Sequence, residues 1–85
     1  MSTCQDISAV LSDGPDPGAD PVGYALAQVL PLRQIHAPDS RLQRAIDGLA
    51  AAYEDFYNTH GSKGAETSVK KASAAVNAIC PGAAS

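Results

Sequence analysis

Two cysteines, Cys4 and Cys80, stand at opposite ends of an 85-residue chain. A bond between them closes almost the whole chain into one loop, and on the chain-entropy account such a loop stabilises the fold by about 4 kcal/mol. A chain this short buries a modest share of its surface and folds with a thin margin, so a crosslink of that size is a large part of the total. Neither a CxxC pair nor a matching pair of histidines offers the cysteines a zinc site instead. The expectation is a Cys4–Cys80 disulfide and, with it, an oxidising, extracytoplasmic or secreted location. Acylation of Cys4, as in a lipoprotein, would leave Cys80 single and is the weaker reading. No apolar leader opens the numbered residues, so export implies a signal peptide already removed. No apolar run approaches the roughly 20 residues that cross a bilayer.

Hydrophobic spacing reads as helix throughout, in one domain spanning residues 1–85. Over residues 3–12, Cys4, Ile7, Val10 and Leu11 share a face, with Ser2 or Thr3 as the cap and Gly14 beyond the last turn. Residues 13–20 hold prolines, glycines and aspartates at a density that excludes both helix and sheet, and form a linker. Asp13, Asp16 and Asp20 within it miss the alternating positions and the closing Glu of a calcium loop. Asp20-Pro21 has the form of a cap with Pro at the first helical position, starting a helix over 21–30 that ends before Pro31. Its buried side is expected to carry Val22, Leu26, Val29 and Leu30, with Tyr24 off the stripe.

The longest helix is expected over 40–60, started by Asp39 or Ser40, with Gln43 at capping-box spacing from Ser40 and Gly61 as the stop. Its stripe is Leu42, Ile46, Leu49, Tyr53, Phe56 and His60. After a GSKG turn, a helix over 65–80 continues with Ala65, Val69, Ala72, Val76 and Ile79, and Pro81-Gly82 ends it. The short connection makes these two an antiparallel hairpin, and Ala45, Ala52, Ala65 and Ala72 let the helices approach closely. The fold class is all-α: a small disulfide-stapled bundle of three to four helices with a C-terminal antiparallel helical hairpin.

The net charge of −3, with six scattered Lys and Arg, provides no basic stripe for nucleic acid and disfavours an anionic membrane. No nucleophile elbow, reactive-cysteine setting or phosphate loop occurs, and the chain reads as a non-enzyme with no catalytic residues, no metal site and no required cofactor. The one chemically suggestive set is Tyr53, Tyr57 and His60, spaced along one side of the long helix. A phenolate and an imidazole are haem ligands, so a haem or metal carrier using these three, with His36 as a conceivable fourth, is the alternative function. The simpler reading makes them the edge of the core, their rings packed inward and their polar tips in water. The favoured function is a small exported interaction module for a protein partner or an apolar small ligand. The alanine-rich, Gly/Pro-linked style with terminal cysteines resembles that of small exported helical proteins of high-GC bacteria, and no motif narrows it to one family.

Overall fold

The computed structural model describes residues 2–84 and contains four helices: α1 (Thr3–Leu11), α2 (Pro21–Arg33), α3 (Ser40–Asn58) and α4 (Lys63–Ile79). There is no strand among the described residues. α3 is the central element, packed by α2 and by α4, and α1 lies against α2. The core is Ile7 of α1, Leu32 of α2, Leu42, Ile46, Leu49 and Ala50 of α3, and Val76 with Cys80 at the end of α4. Cys4 and Cys80 are joined, with their Cα atoms 5.5 Å apart, a separation ordinary for a disulfide.

Each helix begins where a side chain accepts from an otherwise unpaired backbone N–H. Ser2 and Gln5 form a reciprocal capping box at α1. Asp20 accepts from the amide of Gly23 at α2. A Cβ at Gly23 would meet the Asp20 carboxylate, which would have to swing aside and loosen the cap. Ser62 accepts from Ala65 at α4, which starts that helix at Lys63 rather than Ala65 and draws Gly64 into its first turn.

The cap of α3 departs from the expected Ser40–Gln43 box. Asp39 caps the helix by accepting from Arg41 at 2.8 Å. Gln43 turns backward instead: its side chain accepts from the amide of Ala37 at 2.6 Å and donates to the carbonyl of Ile35 at 3.2 Å. Those contacts hold the α2–α3 connection down with Ile35 and Ala37 packed on the core. α3 ends at Asn58, two residues earlier than expected. The Gly61 amide reaches back to the Phe56 carbonyl at 2.8 Å, with His60 and Gly61 both at positive φ, 55° and 83°. A side chain at Gly61 would also bring its Cβ within 3.2 Å of the Phe56 ring, so glycine serves both the turn and the packing.

The largest departure lies in α2. The helix does not stop at Pro31 but runs through it to Arg33, and Leu32 in the added turn is wholly buried. At about 100° per residue Leu30 and Leu32 lie on opposite sides, so burying one exposes the other. The buried stripe is Ala25, Gln28, Val29 and Leu32, and Leu26 and Leu30, expected inside, are 50% and 70% exposed. A proline costs a helix one hydrogen bond and some geometry; here the continuation places Leu32 among Ile7, Leu42 and Ile46.

α1 has nine residues, only one of them, Ile7, fully buried, and a helix that short has no stability of its own in water. Reducing the disulfide is expected to lower the melting temperature by about 15 °C or more. Circular dichroism melts with and without reductant measure this, and an unchanged midpoint after complete reduction would contradict it.

Candidate functional site

The Tyr53, Tyr57 and His60 side chains go to three different places. Tyr53 is half-buried and packs edge to face with Tyr24 of α2, ring centroids 5.9 Å apart and planes at 73°. Tyr57 is 39% exposed and lines a groove between α2 and α3. His60 is exposed beyond the end of α3, in the turn, and lines neither that groove nor the cleft beside Tyr53. His36 is exposed in the α2–α3 connection. Among the described residues no three His, Cys, Asp or Glu side chains cluster closely enough to hold a metal ion. In the linker, Asp13 and Asp16 each accept from a nearby backbone amide, at Gly14 and Gly18.

Tyr24, which the stripe of α2 left unassigned, turns out to be a structural tie. Its hydroxyl donates to the carbonyl of Leu11 at 2.6 Å, one of the carbonyls that the end of α1 leaves without a helical donor. Four residues on, Gln28 is 1% exposed and donates through Nε2 to the carbonyl of Asp13 at 3.0 Å, while its Oε1 has no protein partner. These two side chains bind α2 to the end of α1 and the start of the linker. The sequence signal is limited to spacing: Tyr24 and Gln28 are four apart and so share one face of the helix.

Burial raises the Tyr53 phenol well above its ordinary value of 10.0, and Tyr24 beside it adds to the shift by charge and by hydrogen bonding. Tyr24 is raised too, chiefly by burial, with its hydrogen bond to Tyr53 acting in the other direction. Both phenols are thus held neutral in the folded state.

Three apolar hollows bear on function. The α2–α3 groove, about 620 Å³, is lined by Leu26, Ala27, Leu30 and Pro31 on one side and by Glu54, Tyr57 and Asn58 on the other. Pro31 has no N–H for the carbonyl of Ala27, so the helix lacks one i→i−4 bond beside the groove. A second hollow of about 410 Å³ shares Ala27 and Pro31 and reaches Ala9, Val10 and Asp13. On a different face, a smaller cleft of about 190 Å³ is walled by Pro17, Pro21, Tyr24, Tyr53, Phe56 and Val69, with Ala25 at its base. The groove's polar edge carries the Arg33–Glu54 ion pair, 3.6 Å long and half in solvent.

No protein family matches the chain, and neither a curated protein nor a solved structure matches it.

The raised phenols give stability a direction with pH. A group whose pKa is higher folded than unfolded contributes fully below the unfolded value and loses that contribution as pH rises through the folded one. Stability is therefore expected to hold through neutral pH and to fall above about pH 10. Tyr53→Phe removes much of that alkaline loss relative to the parent chain. Urea unfolding of both proteins across this range checks it; identical alkaline profiles would refute it.

Proposed function

We propose that this protein is a non-enzymatic interaction module of an oxidising, extracytoplasmic compartment, and that the α2–α3 groove receives an amphipathic helix of a protein partner. The observation that carries the reading is the outward placement of Leu26 and Leu30 beside Tyr57. Three large apolar side chains lie together in solvent, and a clustered apolar patch on a surface often marks an interaction site. The Cys4–Cys80 disulfide supports the compartment. No helix among the described residues is long and apolar enough to cross a membrane.

The shape of the groove favours a protein segment over an enclosed small molecule. Small-ligand sites cover most of the ligand's surface, whereas Leu30, 70% exposed, stands out from the surface. A stable pair of identical chains needs about 800 Å² from each partner, about a sixth of the 4918 Å² this protein exposes and more than the groove offers. A helix laid in the groove needs less, and presents its apolar residues at i, i+3, i+4 and i+7. Glu54 in the groove and Asp13 in the adjoining hollow, against Arg33 alone, call for basic flanks on that helix.

A designed amphipathic peptide with leucines at that spacing and lysine flanks tests this. It is expected to shift the amide resonances of Leu26, Leu30 and Tyr57, to bind more weakly with glutamate flanks, and to lose binding in Leu30→Glu. Resonances unmoved at millimolar peptide would refute the groove. Self-association in sedimentation that Leu30→Glu abolishes would replace the partner helix with a second copy.

A further inference from the structure

The cleft on the other face shares no residue with the groove and has a different chemistry. Tyr24, Tyr53 and Phe56 contribute three aromatic rings, Pro17 and Pro21 two saturated walls, and Val69 of α4 a sixth. The Tyr24 and Tyr53 rings meet at 73°, nearly the right angle between adjacent walls of a box. At about 190 Å³ the cleft is smaller than the roughly 300 Å³ at which drug-sized pockets begin. It suits a compact head group.

The polar end of Tyr24 is engaged elsewhere. Its hydroxyl donates to the Leu11 carbonyl, and burial holds both phenols neutral. What they contribute to the cleft is the electron-rich ring. Pro17, Pro21, Ala25, Phe56 and Val69 carry no polar side-chain atom, so a primary ammonium entering here would lose its water without replacement acceptors. A fully methylated ammonium has no N–H to satisfy and is the cation that aromatic boxes recognise. The electrostatics agree. Each wall proline follows an exposed aspartate, Asp16 or Asp20. The nearest lysine in sequence to a lining residue, Lys70, is paired with Glu66 at 3.4 Å.

We infer that the Tyr24–Tyr53–Phe56 cleft is a binding site for a quaternary ammonium head group of the choline type. The cation rests against the three rings, its methyl groups against Pro17, Pro21 and Val69, with Asp16 and Asp20 supplying the surrounding negative field. The site is independent of the groove reading and stands or falls separately from it.

Titration of the isotope-labelled protein with choline, its neutral carbon isostere dimethylbutanol, and methylammonium separates the contributions. Choline is expected to shift resonances of Tyr24, Tyr53, Phe56 and Val69, and to bind about tenfold more tightly than the isostere, the margin that cation–π attraction supplies in a partly desolvated site. Methylammonium is expected to bind weakly. Phe56→Leu, checked for an unchanged fold by circular dichroism, is expected to weaken choline about fivefold and to leave the isostere unchanged. Equal binding of choline and the isostere would reduce the cleft to an ordinary apolar pocket and overturn the inference. Equal binding of methylammonium and choline would reassign the attraction to the aspartates alone and overturn it too, as would the absence of any shift at millimolar choline.

Discussion

Cys4 sits in the first turn of α1 and Cys80 at the C-cap of α4, and their bond places the start of the chain against its end. α1 contributes a single fully buried side chain, Ile7, yet that residue lies in the centre of the core with Leu32, Ile46, Leu49 and Val76. The bond therefore does more than shorten the unfolded chain. It holds a helix too short to persist by itself at the place where Ile7 closes the core. The other ties of α1 are lighter: the Tyr24 hydroxyl on Leu11 and the Gln28 amide on Asp13. At the far end, Asn77 Oδ1 accepts from the Ala84 amide and holds the C-terminal turn so that Ala83 and Ala84 pack on the same core.

Both candidate sites follow from how α2 is rotated. Carrying the helix through Pro31 buries Leu32, and the same rotation leaves Leu26 and Leu30 outside beside Tyr57 while bringing Tyr24 against Tyr53. The apolar groove and the aromatic cleft are thus two consequences of one packing choice. In the groove an apolar surface lacks cover, which fits a partner. In the cleft the rings are partly covered and the Tyr24 hydroxyl is used, which leaves a walled space.

Much of the fold is legible in the sequence, because α3 and α4 obey a single rule. Leu42, Ile46 and Leu49 recur at helical spacing and are all buried, as are Ala65 and Val76 on α4, and the Ala52 and Ala65 positions permit the close approach. The disulfide is legible from the absence of any other use for two terminal cysteines. α2 is not, because its apolar residues occur nearly all round: Val22, Leu26, Val29, Leu30 and Leu32 allow more than one inward face, and only tertiary packing selects Ala25, Gln28, Val29 and Leu32. Proline at 31 suggests a stop, but its cost of about 3 kcal/mol in a helix is largely offset by burying Leu32, worth about 1.5–3 kcal/mol. Of the suspected ligands, Tyr53 packs against the core from α3, and its ring partner Tyr24 comes from α2, the helix whose inward face the spacing leaves open. His60 fell outside because α3 closes at Asn58 with Gly61 bonded to Phe56.

The central claim is that the crosslink, rather than the packing of α1 alone, keeps Ile7 in the core. Amide hydrogen exchange followed by NMR in the Cys4→Ser, Cys80→Ser chain tests it most directly. The account predicts that amides of α1 and of residues 13–20 exchange far faster than in the oxidised protein, while those in the middle of α3 keep most of their protection. Protection of α1 equal to that in the disulfide-bonded protein would contradict it.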